Sequence, residues 1–292
     1  MESLNDKLKA LREHVGSDRV VVMIIGLGSV GSYLLDYLLS TGDPALRIVV
    51  VGRDGNKLQT KVNIAMVAGL IREVNRSHVE ICDGVDLNDV GAIRDAVIRF
   101  NPDFIINSSR AYPGLKYGSI SWANVRAYGI WTPLAIKFAR NVCEACDEAG
   151  SDALIINTSY SDAVIPWLKS AGKAYPDFGS GNLNHLIPRM RLAVAERIGA
   201  RDYWNVDVCF AAGHFHDVCI SKEGHAEGVK LPLKVFYQGE ELEVPDQELY
   251  SACCIPMPTD QTRNMMNASS NYRIVMSIIH TIRTGDSCRL FI

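Results

Sequence analysis

The stretch Val20-Val-Val-Met-Ile-Ile-Gly26-Leu-Gly28-Ser29-Val30-Gly31-Ser-Tyr-Leu-Leu constrains this chain more than any other. An apolar strand runs into a Gly-x-Gly-x-x-Gly turn, and the turn opens an amphipathic helix. That context turns a weak glycine pattern into a dinucleotide-binding fingerprint. Gly26 permits the tight turn, Gly28 lets a pyrophosphate approach the backbone, and Gly31 lets helix and strand pack closely. The helix start, Ser29 and Val30 with Gly31, offers unpaired N–H groups and the positive end of the helix dipole to an anion.

The rest of the first half repeats the same unit. Strands are predicted at 20–25, 47–51, 79–83, 103–107 and 153–157, with helices at 32–41, 57–74, 90–100 and 122–149 between them. Such alternation predicts an α/β fold, a Rossmann-type doubly wound parallel sheet. A charged N-terminal helix precedes it. The second half changes character, with a helix from about Arg189 to Ile198, strands at 206–211 and 230–237, a turn at 238–243, a Cys-, Pro- and Met-rich loop at 250–258 and a helix at 271–284. The expected division is therefore a dinucleotide-binding domain over 1–160 and a second, α+β substrate domain over 161–292.

The second strand addresses the cofactor. It ends Val51-Gly52-Arg53-Asp54-Gly55-Asn56-Lys57. NAD sites place a carboxylate at this strand end for the ribose 2′-hydroxyl, whereas NADP sites place an arginine near the 2′-phosphate. Gly52 stands at the acidic position and Arg53 follows, able to grip a phosphate through two N–H groups. Lys57 adds charge, and Asn107 lies at the carboxyl end of the fourth strand, where α/β ligands bind. NADP is the expected cofactor. NAD stays open through Asp54, should the strand end one residue later.

Composition narrows the partners. The 292 residues carry a net charge of -3 with no basic block, which argues against extended contact with nucleic acid. The longest apolar run, Val20 to Leu27, is too short to span a bilayer. Eight dispersed cysteines without an export signal suggest a reduced, cytoplasmic protein. Cys143-x-x-Cys146 sits in a helical pattern with no second ligand pair, so structural thiols and no metal are expected.

Several later segments, in order over roughly residues 18 to 220, resemble the lactate/malate dehydrogenase family. Its methanogen-type malate dehydrogenases carry a similar Gly-Arg second strand. Ser108-Ser-Arg110-Ala-Tyr-Pro-Gly-Leu-Lys116-Tyr resembles the family's substrate loop, and Asn157-Thr-Ser-Tyr-Ser-Asp162 its Asn-Pro-x-Asp element. Gly179-Ser-Gly-Asn-Leu-Asn184-His-Leu-Ile187-Pro-Arg189 resembles its Gly-x-Gly-Leu-Asp-x-x-Arg helix, and Gly213-His214 the element that holds the catalytic histidine. The resemblance implies that His214 exchanges a proton with the substrate, since histidine titrates near neutrality. It also implies that Asn157 bonds the substrate oxygen or nicotinamide, and that Arg110 or Lys116 polarises the reacting carbonyl as the loop closes.

The sequence also departs from that pattern. Asn184 stands where the family has its histidine-orienting Asp, and Ile187 where it has a carboxylate-binding Arg. His216 rivals His214, because Gly213-His-Phe-His-Asp217 can be slid by two. The implied reading is an NADP(H)-dependent oxidoreductase of a small hydroxy- or keto-acid-like substrate, assembled as a homo-oligomer. An opine- or saccharopine-like imine reductase, and a dinucleotide-binding sensor without catalysis, remain alternatives.

Overall fold

A computed structural model describes residues 3–15, 19–110, 131–180, 183–212, 231–258 and 260–288. The expected sites Lys116, His214 and His216, and the start of the helix expected at 122–149, lie outside these residues.

The first compact unit comprises Met1–Ser180 with Asp260–Leu290. In order its elements are α1 (Leu4–Val15), β1 (Val20–Ile25), α2 (Ser29–Leu39), β2 (Leu46–Val51), α3 (Gly55–Ile71), β3 (His78–Cys82) and α4 (Val90–Phe100). There follow β4 (Phe104–Asn107), α5 (Trp131–Glu148), β5 (Leu154–Asn157), α6 (Ser161–Ser170) and β6 (Phe178–Gly179). The strands form a single parallel sheet in the order β3-β2-β1-β4-β5-β6. The chain reverses its direction of travel across the sheet between β1 and β4, where a crevice for ligands opens in folds of this kind.

Both faces of that sheet are covered, so its central strands are apolar throughout rather than alternating. β1, β4 and β5 are buried at every position. The pleat sends Val20, Val22 and Ile24 to one side, against Leu34, Leu35 and Leu38 of α2 and Leu58 and Val62 of α3. Val21, Met23 and Ile25 go to the other, against Ile93 and Val97 of α4 and Val142 and Cys146 of α5.

The second unit, Gly181–Thr259, holds α7 (Leu183–Ile198), β7 (Val206–Phe210), β8 (Leu233–Tyr237), β9 (Glu240–Leu242) and α8 (Asp246–Ala252). Its strands are antiparallel in the order β7-β8-β9. Gln238 and Gly239 join β8 to β9 with φ of 52° and 90°, the two left-handed residues that a tight hairpin turn requires. Leu186, Met190 and Val194 of α7 pack with Val206, Val208, Val235 and Leu249.

The last helix, α9 (Asn264–Thr284), returns to the first unit. Ala268, Ile274, Val275 and Ile279 are buried in the α2 side of its core. Tyr272 meets Tyr37 edge to face at 6.1 Å, and Arg283 pairs with Asp43 at 2.6 Å. The two units therefore divide after Ser180 and again at Asp260, not at residue 160. α6 and β6 extend the first sheet, and α9 supplies part of its cover.

Candidate dinucleotide site

The glycine turn is built around one carbonyl. Gly26 takes φ of +86°, and its N–H donates to the Val51 carbonyl at 2.9 Å. The Gly26 carbonyl accepts from Ser108 Oγ at 2.6 Å and lies beneath α2. A Cβ on Gly31 would stand 2.3 Å from that oxygen, so only glycine lets the helix approach this closely. Gly28 differs. A Cβ there would meet no atom of the described residues within 4 Å, so the approach to its backbone is open among them.

The helix starts around this turn are unlike one another. Asp54 caps α3, its carboxylate accepting from the Lys57 amide at 3.1 Å, and Asp89 caps α4 through the Ala92 amide at 3.2 Å. α2 is capped by Gly28 with no side-chain acceptor and has no acidic residue in its first turn. Among the described residues no side chain accepts from its first N–H groups, which leaves them and the dipole for an anion. Two side chains brace the turn from outside the fingerprint. Lys61 Nζ, on α3, donates to the Leu27 carbonyl, and Asn264 Nδ2, on α9, donates to Ser29 Oγ at 2.5 Å.

At the end of β2, Arg53, Asp54, Gly55, Asn56, Gln59, Ile81 and Asp83 line an open pocket of about 680 Å³. Arg53 is exposed there. Asp54 is engaged as a helix cap, and the Lys57 amide holds its carboxyl below the ordinary value. Lys57 pairs loosely with Asp54 at 3.4 Å, its side chain 82% exposed. Asp83 packs against the start of α3, where a Cβ on Gly55 would come within 2.4 Å of its Oδ2.

Asn107 and Asn157 are register partners at the ends of β4 and β5. Both are buried, at 2% and 1% exposure, and Asn107 Nδ2 donates to Asn157 Oδ1 at 3.0 Å. Asn157 Nδ2 donates to the Ser159 carbonyl at 2.8 Å and to Ser161 Oγ at 3.3 Å. Asn107 Oδ1 accepts from Ser109 Oγ at 2.5 Å. The two amides bond each other and the loops that follow their strands. Arg110, three residues beyond Asn107, is exposed.

Residues 22–122 match the family model of the saccharopine dehydrogenase NADP binding domain. NADP is the cofactor this supports, in agreement with Gly52 and Arg53. A comparison with curated protein sequences gave no match. Among solved structures, the chain is similar to the malate dehydrogenase of Picrophilus torridus, at 14% identity over 90% of this chain and 76% of that one, with a TM-score of 0.59. It is also similar to the lactate dehydrogenase of Cryptosporidium parvum, at 16% identity over 81% and 67%, with a TM-score of 0.52. A lactate dehydrogenase from a Medee basin deep-sea metagenome library is 14% identical over 66% of this chain, with a TM-score of 0.44, and the chain spans 54% of its length. The Picrophilus torridus and Cryptosporidium parvum structures share the fold. The domain match supports a relationship to NADP-binding dehydrogenase domains.

The residues present fit such a cofactor. The open approach at Gly28, the uncapped start of α2 and the exposed Arg53 beside Asn56 and Gln59 all lie at the carboxyl edge of one sheet. Gly26, Gly28, Ser29, Val30, Gly31, Arg53 and Lys57, the residues expected to bind it, stand at or just beyond the ends of β1 and β2. Asn107 stands behind the turn, held by Asn157 and Ser109. Lys61 and Asn264 carry no sequence signal, since one is a lysine mid-helix and the other lies 235 residues from its partner.

Cys143 and Cys146 are buried in α5, and desolvation raises both thiols, Cys146 to about 12. No group of three or more metal-ligating side chains occurs among the described residues, and none of their helices is long and apolar enough to cross a membrane.

Proposed function

We propose that this chain is an NADP(H)-dependent dehydrogenase or reductase of a small hydroxy- or keto-acid-like substrate. The observation that carries the reading is the uncapped start of α2 beside Gly28, on the same sheet edge as Arg53. The α2 amides and Ser29 would hold the pyrophosphate, and Arg53, with Lys57 beside it, the 2′-phosphate. The bound dinucleotide supplies hydride chemistry. His214 is the proposed acid–base, holding the proton that the substrate oxygen gains or loses, with His216 as its rival. Asn157 is proposed to act from behind the site: its amide fixes the Ser159 and Ser161 loop beside the strand ends. Arg110 and Lys116 would bring positive charge to the reacting carbonyl. A homo-oligomer belongs to the same proposal. Its support is α3, which leaves Ile64, Val67, Leu70 and Ile71 exposed, apolar surface of the kind that marks interaction sites.

A second reading has its own support. The match of residues 22–122 to a saccharopine dehydrogenase domain favours an enzyme that reduces an imine formed from an amine and a keto acid.

Titration with NADPH and NADH, followed by nicotinamide fluorescence, tests the cofactor. NADPH should bind more tightly, and Arg53→Asp should cost it about tenfold or more, the loss expected for a charge-assisted hydrogen bond turned into repulsion. Absence of binding by either nucleotide would overturn the reading. Turnover of keto acids with and without an amine donor separates the two chemistries. A His214→Ala variant with full activity would remove the acid–base assignment.

A further inference from the structure

We infer that Asn264 and Lys61 set the charge and the hydroxyl orientation of the pyrophosphate turn, which makes α9 a working part of the dinucleotide site. This rests on the cofactor reading above and adds residues that the glycine fingerprint does not contain.

A serine oxygen has one proton to donate and two lone pairs to accept with. At Ser29, Asn264 Nδ2 fills one lone pair at 2.5 Å. No described residue accepts the Ser29 proton. Ser29 is the first residue of α2, beside N–H groups for which the described residues likewise offer no side-chain acceptor. An oxygen that accepts from an amide donates its own proton more strongly. The Ser29 hydroxyl is thereby aligned with the α2 amides as a donor to one anion, a phosphate oxygen of the dinucleotide.

Lys61 acts on the opposite charge. The Leu27 carbonyl lies within the turn between Gly26 and Gly28, and an exposed carbonyl would repel a phosphate. Lys61 Nζ donates to it. The ammonium offsets the carbonyl dipole and brings a full positive charge to the turn. Lys57 lies one helical turn earlier on α3, so the helix carries a row of cations from the Arg53 end of the site toward the pyrophosphate end.

A second amide, this one buried, holds α9 in register. Asn271 follows Asn264 by two helical turns and so shares its face. It is fully buried and donates to Thr158 Oγ1 at 3.0 Å, just past the end of β5. α9 is thus fastened at two points to the carboxyl edge of the sheet, and the Asn264 amide cannot slide from Ser29.

The test compares three ligands on the full-length protein: NADPH, 2′-phospho-ADP-ribose and 2′-AMP, which lacks the pyrophosphate. Ser29→Ala and Asn264→Ala should each weaken the first two by about threefold to tenfold, the factor for one lost neutral hydrogen bond. The double variant should be no weaker than either single, because the two residues act through one hydroxyl. Ser29→Thr should retain affinity. Asn264→Asp, which takes the hydroxyl proton and adds negative charge, should weaken binding more than Asn264→Ala. Lys61→Met should weaken pyrophosphate ligands and flatten their salt dependence. Binding of 2′-AMP should be unchanged in all of them, and thermal midpoints report folding alongside. Variants that bind NADPH as the wild type does, that lose 2′-AMP equally, or whose effects add would overturn the inference. Failure of the wild type itself to bind NADPH would instead remove the cofactor reading, and the inference with it.

Discussion

Two glycines of the same turn should respond to the same substitution in opposite ways. A Cβ on Gly31 would stand 2.3 Å from the Gly26 carbonyl oxygen and 3.0 Å from Ser108 Oγ. That oxygen is backbone, held by Ser108, so the turn itself must move. Gly31→Ala should therefore lower both stability and cofactor affinity, by about 1–3 kcal/mol of overpacking strain in the first case. Gly28 has φ of -73° and open space around it. Gly28→Ala should leave the thermal midpoint within about a degree, consistent with an unstrained surface change, yet weaken NADPH by filling the pyrophosphate approach. Thermal unfolding run beside an NADPH titration separates the two. The sequence carried these roles because each depends on residues within a few positions. It carried nothing of Lys61 or Asn264, whose partners meet only after the sheet and α9 have assembled. Asp54 falls between. As a letter it could serve a ribose or cap a helix, and only the Lys57 amide beside its carboxylate decides for the cap.

At the scale of elements, continuous apolar runs were the legible signal. β1 and α4 have the bounds their patterns predict. α2 begins three residues before its predicted start because its cap is a glycine, without a side chain to mark the boundary. α6 went unread because Pro166 lies inside it, and β6 because it has two residues. α9 begins seven residues before the expected helix, its first turns disguised by Asn264, Asn267, Ser269 and Ser270. In α5 the Cys143 and Cys146 thiols face the core, 1% and 3% exposed. Desolvation raises both, Cys146 from 9.0 to about 12. In the unfolded chain these thiols ionise near 9, while in the folded one they stay neutral. Their contribution to stability is complete below pH 9 and is lost as pH rises toward 12. The urea midpoint should fall across that window, and less so in a Cys143→Ala/Cys146→Ala variant. A thiol reagent at pH 8 should label the pair only as the protein unfolds.

At the scale of the whole molecule, α1 poses the sharpest question, since it precedes the alternating pattern and could have been a loose appendage. Lys7 answers it. Its ammonium reaches Asp177 at 2.8 Å and the Ala153 carbonyl at 3.1 Å, and the same carboxylate accepts from the Ile155 amide at 2.8 Å. Both side chains are almost fully buried, at 3% and 4%. One ion pair thus ties the first helix to the segment that leads into the last strand of the six-stranded sheet. A buried pair is no guarantee of net stability, because both charges were taken from water, but removing one partner strands the other. Lys7→Met should destabilise the fold by about 3–5 kcal/mol, the usual cost of a buried charge left alone. Lys7→Met with Asp177→Asn should recover most of that, since asparagine removes the charge and still offers Ile155 an acceptor. Urea unfolding of the two singles and the double measures the coupling directly. A Lys7→Met protein within about 1 kcal/mol of wild type, the range of an exposed pair, would mean that α1 is held by apolar packing, with Leu8, Leu11 and Val15 in the core. A double variant no better than the single would mean that the Lys7 ammonium is needed for the Ala153 carbonyl and not for the carboxylate.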